Sequence, residues 1–561
     1  MRSLSHNRLG ALLLCLPLLL FLTCKDKTTA SGETVRITYF AFENITPKAV
    51  GSINQTASII EVAVPEAVDV DNLTPTIMVT EGAMVEPPSG IPNNFENEAP
   101  YTLTGPGGEK TTYKVIVEKQ SDEKELLSFD LPDLFVEGEI SGQEVSLDLL
   151  YGTDLSEVKV EVKVSETATA SIESGAVVNL NEVNEIVVTS QLGTEQTYAI
   201  KTTTKPQEEA VRGVWLTNIA SNVLDSRDSI AQAMDRLEEL NFNTVFLVTF
   251  NKTQTPHPST VLQDAVGDPG IQTQFYPGRD VLQEVIEEAH AKGLKVIAWF
   301  EYGFAAQYGD ENGGRNAILQ AHPEWESRDQ EGNVASKNNF YWMNGFHPEV
   351  QQFMIDLVTE VVENYDVDGV QGDDRLPAMP TSAGYDDYTV EQYEQFFGSP
   401  PPASETNQAW VQWRANIMTQ FGKDLFDAVK AEDPECLVTF SPSPYPFSFT
   451  NYCQDWPDWV EDGIVQILSP QLYRRDTDGI DVYTDLLQVN LGYASNRKDI
   501  FYPGILLRIG DYIPTDEYLV EVIRENRKSE VKGEVFFFYE GVWPKKKVFR
   551  ALYPGEAIFP F

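Results

Sequence analysis

Four carboxylates stand where apolar runs in the C-terminal part of the chain give out. Glu301 lies in Ala298-Trp-Phe-Glu-Tyr-Gly303, Asp373 and Asp374 close Asp368-Gly-Val-Gln-Gly-Asp-Asp374, and Glu540 lies in Phe536-Phe-Phe-Tyr-Glu-Gly541. Other runs end on Asn218, Asn251, Ser441, Ser443, Gln471, Tyr473 and Arg508, with Trp299 and Trp543 close by in sequence. Cleavage of a glycosidic bond requires two carboxyl groups in different environments, one kept protonated and one ionised. A hydroxyl-rich ligand requires donors, acceptors and flat aromatic faces. The candidate catalytic set is therefore Asp373, Glu301, Asp374 and Glu540, and the candidate substrate-binding set is Asn218, Trp299, Gln471, Tyr473, Arg508 and Trp543. Plainer roles compete with these. An Asp-Asp pair can cap or brace the segment that follows, and Glu301 can sit in a rim salt bridge. Glu540, after three Phe and a Tyr, needs a partner if it is buried, for which Arg375 and Arg508 are candidates.

These residues converge only if the elements before them are parallel. From Val211 onward, eight buried apolar runs read as strands: 211–218, 244–250, 295–303, 368–374, 437–444, 465–473, 500–507 and 533–541. Amphipathic stretches such as 228–240, 279–292 and 349–365 lie between them, with apolar residues at helical spacing. Alternation of strand and helix eight times over predicts a (β/α)8 TIM barrel, in which the carboxyl ends of the strands build the site. A doubly wound open sheet is the alternative, but no glycine-rich phosphate loop follows the first strand. Along the fourth run, alternation turns Gly369, Gln371 and Asp373 inward, and Gly372 gives the following loop room to turn sharply.

Composition narrows the partners. Of 561 residues, 41 are Lys or Arg and 86 are Asp or Glu, a formal charge of −45. Such a surface repels polyanions, so nucleic acid is excluded as a partner and a membrane surface is not bound through basic residues. A neutral sugar chain suits this charge. A strongly anionic glycan would need a local basic patch, for which Arg375, Arg474, Arg475 and Arg508 are the rim candidates. His257, His290, His322 and His347 form no HxH or HxxxH pair, which disfavours a metal-dependent hydrolase built on Asp373 and Asp374. Three of them precede Pro and read as loop anchors. No cofactor is expected.

Residues 1–24, MRSLSHNRLGALLLCLPLLLFLTC, read as a secretory leader whose apolar core is too short to span a bilayer. Phe21-Leu-Thr-Cys24 is similar to a bacterial lipobox, which makes Cys24 the lipidation candidate and places the chain as an exported lipoprotein, attached to a membrane only through that anchor. Cys436 and Cys453 could pair in an oxidising compartment but form no disulfide framework. All nine Trp fall between Trp215 and Trp543, so residues 25–205 lack the indole platforms that sugar sites use. That stretch repeats itself: Ile37–Phe42 answers to Leu127–Leu131, Asn72–Val79 to Asp154–Val160, and Thr111–Val117 to Gln196–Ile200. Alternating β-branched and polar residues predict two β-sandwiches, at 33–120 and 123–204, ahead of a barrel domain at 210–555. They resemble the immunoglobulin-like spacer modules of bacterial surface glycan-handling lipoproteins.

The barrel motifs resemble those of the bacterial glycosyl-hydrolase-like family ten. The likeness rests on Arg212-Gly-Val-Trp-Leu216, Leu240-Asn-Phe-Asn-Thr-Val245, Ala289-His-Ala-Lys-Gly-Leu-Lys-Val-Ile-Ala-Trp-Phe300, His322-Pro-Glu-Trp325, Tyr365–Asp374 and Ser469-Pro-Gln-Leu-Tyr473, over about residues 211–545. The resemblance implies a glycoside hydrolase fold, and some relatives cut peptidoglycan glycan strands stripped of their peptides. Two departures bear on substrate. The third strand usually continues Trp-Phe-Asn-Pro-Tyr-Arg where this chain has Trp299-Phe-Glu-Tyr-Gly303, and aromatics usually follow the Asp pair where this chain has Arg375-Leu-Pro377. The expected function is hydrolysis of a poly- or oligosaccharide, with Asp373 as nucleophile or base and Glu301 or Glu540 as acid. The alternative is a surface lipoprotein that binds glycan without cutting it.

Overall fold

A computed structural model describes residues 34–267 and 275–561; the leader and Cys24 lie outside them. The chain forms two units, one of residues up to 124 with 167–169 and 189–195, the other of the remainder through 561.

In the first unit, Ile37–Phe42 is the middle strand of a three-stranded antiparallel sheet, between Ala49–Val50 and Thr76–Val79. A second, five-stranded sheet is centred on Lys110–Gln120, which pairs in parallel with Ile59–Pro65 and antiparallel with Ala99–Thr104. The side chains alternate as a half-wet sheet requires: Ile60, Val62 and Val64 are buried while Glu61 between them is exposed. Residues 126–204 repeat these two sheets and add a short two-stranded pair. Leu126–Leu131 stands between Val136–Glu137 and Glu161–Val164, and Glu195–Thr204 pairs in parallel with Glu144–Leu149. The strand answering to Thr76–Val79 is Glu161–Val164, a few residues beyond the stretch that the sequence repeat marks. Val158–Lys159, just before it, pairs separately with Val177–Val178.

The second unit holds eight parallel strands, numbered here from the first of the barrel: β1 Val211–Leu216, β2 Thr244–Val248, β3 Lys295–Trp299, β4 Gly369–Gly372, β5 Leu437–Phe440, β6 Ile467–Leu468, β7 Gly504–Leu506 and β8 Gly533–Phe537. Their order in the sheet is β6-β5-β4-β3-β2-β1-β8-β7. Parallel bridges Leu468–Phe501 and Gln471–Gly504 join the two outer strands, so the sheet curves as a TIM-like barrel does. Each strand is followed by a helix: α1 Arg227–Glu239, α2 Val281–His290, α3 Pro348–Asn364, α4 Gln408–Glu432, α5 Trp456–Asp462, α6 Ile480–Tyr493, α7 Asp516–Lys528 and α8 Lys546–Leu552. Every residue of β1 and β2 is buried, which is why these strands read as unbroken apolar runs. Side-chain caps start five of these eight helices: Ser226, for instance, accepts from Ser229 N–H before α1, and His347, followed by Pro348, accepts from Glu349 N–H before α3.

Where β1 and β8 begin, a charged network closes the end of the barrel opposite the candidate site. Glu534 is fully buried and accepts from Arg527 Nη1 at 2.9 Å, from Asn526 Nδ2 at 2.9 Å and from the Tyr553 hydroxyl. Arg212, 3% exposed, donates to Glu208 at 2.8 Å and to Gly555 O at 2.7 Å, and its guanidinium lies 4.2 Å from the Tyr553 ring centre. Arg527 also reaches Glu208 at 3.3 Å, so two carboxylates and two guanidinia share one cluster.

Cys436 and Cys453 are buried free thiols, not a pair. Among the described residues, no helix is long and apolar enough to cross a membrane.

Candidate active site

Asp373 is the first residue past β4 and is 1% exposed. The loop can fold back there because Gly372 lacks a side chain: a Cβ at 372 would stand 2.2 Å from Leu376 O. Gly303, at φ +50°, does the same for the loop after β3, where a Cβ would stand 2.4 Å from Arg375 O. The two loops therefore meet backbone to backbone, with Phe304 N–H donating to Arg375 O at 3.1 Å. This contact brings Glu301 of one loop beside Asp373, Asp374 and Arg375 of the other.

Arg375 is the hub. Its Nη2 donates to Asp373 Oδ2 at 3.1 Å and stands 3.6 Å from Glu301 Oε1, its Nη1 is 2.9 Å from Asp374 Oδ1, and its Nε donates to Glu301 O at 2.8 Å. The guanidinium carbon lies 4.8 Å from the Phe340 ring centre and 5.8 Å from that of Tyr302. Asp373 accepts two further N–H groups, Trp299 Nε1 at 3.1 Å to Oδ2 and Arg375 N at 2.9 Å to Oδ1. Glu301 accepts from Asn251 Nδ2.

Three carboxylates around one cation leave negative charge uncompensated. Burial pushes the Asp373 carboxyl well above its ordinary range; Arg375 pulls it back, and Asp374 and Glu301 push it up again. Burial likewise raises Glu301, against the pull of Arg375 and Asn251. The Tyr473 hydroxyl is raised by burial and by the charges of the same three carboxylates, and its ring stacks on Phe537 at 5.4 Å.

The other sequence candidates are distributed around this centre. Trp299 is 3% exposed, so it serves as a buried donor to Asp373 and offers no open face. Gln471 donates to Ser441 O at 3.0 Å, and the Oδ1 of half-buried Asn218 is a buried acceptor without a protein partner. Glu540 is half-buried and accepts from Ser221 Oγ at 2.8 Å; Arg508 donates to its backbone carbonyl at 3.2 Å, not to its carboxylate. Glu540 therefore stands outside the Arg375 cluster. Trp543 carries the Arg236 guanidinium 4.9 Å and the Lys546 ammonium 4.6 Å from its ring centre. Arg375, which the sequence offers as a partner for Glu540, is committed to Asp373, Asp374 and Glu301 instead. Its place directly after the Asp pair was the available signal.

The histidines occupy loops and helix ends, His290 closing α2 with Nε2 2.9 Å from Asp368 Oδ2. His257 is buried with neither ring nitrogen hydrogen-bonded, its ring edge-on to Tyr365 at 5.3 Å, and burial pushes its imidazole down to about 3. His322 stacks on Trp325 at 4.0 Å and contacts Ala265 O at 2.8 Å. Among the described residues, no group of three or more His, Cys, Asp and Glu is arranged to hold a metal ion.

A TIM-like barrel with a buried carboxylate cluster past its carboxyl ends defines the class: a glycoside-hydrolase-like barrel. More particularly, the chain belongs to the glycosyl hydrolase-like 10 family, whose model matches residues 210–498. Residues 37–117 match the model "SGBP, N-terminal". Similar proteins include the glycosyl hydrolase DigH of Escherichia coli O6:H1, 26% identical over 309 residues, covering 48% of this chain and 67% of DigH. The glycosyl hydrolase YngK of Bacillus subtilis is 23% identical over 365 residues, covering 59% of this chain and 68% of YngK. Among solved structures, the glycoside hydrolase domain of PgaB (BpsB) from Bordetella bronchiseptica aligns over 61% of this chain and 98% of its own, at 15% identity and a TM-score of 0.48.

Proposed function

We propose that this protein hydrolyses a glycosidic bond in an oligo- or polysaccharide, with Asp373 as nucleophile and Glu301 as acid. The observation that carries this reading is that both carboxyl groups approach one nitrogen, Arg375 Nη2, at 3.1 and 3.6 Å. Their nearest oxygens are therefore no more than about 6.7 Å apart, a bound that admits the separation of about 5 to 5.5 Å that goes with retention. The roles follow from the hydrogen bonds. Asp373 accepts three N–H groups, which favour its ionised form against the rise that burial causes, whereas Glu301, also raised by burial, accepts from Asn251 alone and is the better placed of the two to carry the proton. An Asp373 oxygen bonds to the anomeric carbon as the glycosidic C–O bond breaks, and the departing oxygen takes the Glu301 proton. Water then attacks the same carbon, returns a proton to Glu301 and frees Asp373. Asp374 and Arg375 hold the pair in place.

A second reading, binding without cleavage, is favoured by the match of residues 37–117 to the N-terminal model of surface glycan-binding proteins. On either reading, the two N-terminal all-β regions act as immunoglobulin-like spacers, and lipidation at Cys24 holds the protein at the cell surface. The test is incubation of the chain, its Asp373→Asn and its Glu301→Gln variants with a glycan panel that includes peptide-free peptidoglycan. Cleavage by the wild type, lost in Asp373→Asn while binding persists, supports hydrolysis. Binding by all three proteins without any cleavage favours the second reading.

A further inference from the structure

After β3 the chain forms a small antiparallel sheet from Ala305–Tyr308, Ser336–Lys337 and Phe340–Trp342. Lys337 pairs with Phe340 around Asn338-Asn339, both at positive φ (52° and 65°), the two-residue hairpin geometry that Asn tolerates. The turn is pinned from two sides. Gly309 N–H donates to Asn339 O at 2.9 Å, and Asn338 Nδ2 donates to the Tyr452 hydroxyl at 2.7 Å. Lys337 Nζ adds a bond to Asn451 O at 3.1 Å. The sheet is thus a fixed element beside the carboxylate cluster.

Phe340 links the two. The Arg375 guanidinium lies against it, the buried Tyr302 ring meets it edge-on at 5.5 Å, and Tyr308, directly opposite in register, meets it edge-on at 5.1 Å. Tyr302 is 4% exposed and Tyr308 is 50% exposed, so a row of aromatic rings runs from the guanidinium that gathers the carboxylates out to solvent. A single exposed Tyr is ordinary. This one is held at a set tilt by a cross-strand ring and is continuous with the candidate site. Neither Trp299 nor Trp543 offers such a face.

We propose that Tyr308, seated on Phe340, is the stacking platform for a sugar ring distant from the scissile bond, so that the substrate is a glycan chain several residues long. The proposal rests on the hydrolase reading above and deepens it. By way of Phe340 the Tyr308 ring stands within about 10 Å of the guanidinium carbon, inside the reach of a chain whose scissile bond lies over Asp373 and Glu301.

The test compares the whole chain with Tyr308→Ala and Tyr308→Phe on peptide-free peptidoglycan strands and on N-acetylglucosamine oligomers of two, four and six residues. The KM for the longer substrates should rise about tenfold in Tyr308→Ala with kcat nearly unchanged, the shortest substrate should be affected less, and Tyr308→Phe should restore the wild-type values. Equal KM values in wild type and Tyr308→Ala at every length overturn the platform, while loss of cleavage in Asp373→Asn leaves the hydrolase reading standing. If nothing is cut, calorimetric binding of the same glycans decides. Weaker binding in Tyr308→Ala, restored in Tyr308→Phe, keeps the platform without the hydrolase; unchanged binding, or no binding by any of the three proteins, overturns it.

Discussion

The barrel buries charge at both ends, in opposite styles. Where β1 and β8 begin, Glu208 and Glu534 face Arg212 and Arg527, two against two. Past the ends of β3 and β4, Glu301, Asp373 and Asp374 share Arg375 as their ion-pair partner, three against one, with Lys252 acting on Glu301 from beyond ion-pair distance. A balanced buried cluster ties chain segments together, and breaking it strands a charge. An unbalanced one costs stability at neutral pH and persists where chemistry needs a carboxyl group with a raised pKa.

The largest effect expected is on catalysis. Asp373→Asn should lower glycan hydrolysis by at least about 10³-fold, read as product release, while raising the thermal midpoint, because one of three crowded carboxylates is gone. The matching change at the other end, Arg527→Met, should cost about 3 to 5 kcal/mol in denaturant unfolding by leaving Glu534 buried without its cation. If Asp373→Asn proves less stable than the wild type, the contrast between the two ends fails.

Next comes the pH profile. With Asp373 ionised and Glu301 protonated, hydrolysis should fall on the acid side as Asp373 takes up its proton and on the alkaline side as Glu301 loses its own. Glu301→Gln should lower the rate about 10²-fold or more and flatten the alkaline limb, measured on a substrate of fixed length.

Stability should separate the ends by sign. The carboxyl groups of Asp373 and Glu301 are raised, so the folded state binds more protons than the unfolded chain just above their ordinary range. The stability they contribute is present at low pH and lost as pH rises through their folded values. Glu208 is pushed up by burial but held lower overall by Arg527 and Arg212, so its contribution is present at neutral pH and lost as pH falls through its folded value. The stability gap between Asp373→Asn and the wild type should therefore shrink on acidification. The smallest effect concerns Glu540. Being outside the cluster and bonded to Ser221, it should tolerate Glu540→Gln with less than about a threefold change in rate.

The strands were legible in the sequence because a parallel sheet buried on both faces leaves unbroken apolar runs. Their ends were not. The run at 465–473 pairs in the sheet as a strand only over Ile467–Leu468, and that at 295–303 only to Trp299, because the rim residues keep the composition of a strand after its pairing has stopped. The pairing of Glu301 with Asp373 came from two glycines, Gly303 and Gly372, which let separate loops touch; nothing local to either carboxylate announces that contact. Asn338-Asn339 was a readable turn signal, and it leads to Phe340 and Tyr308.

One bond at the site has an optical consequence. The Trp299 indole N–H ends on the carboxylate oxygen of Asp373, so the chain carries a native chromophore wired to the carboxylate proposed as the nucleophile. Its emission, isolated as the difference between wild type and Trp299→Phe, should report the charge of Asp373 and the arrival of a ligand at the rim without any attached dye.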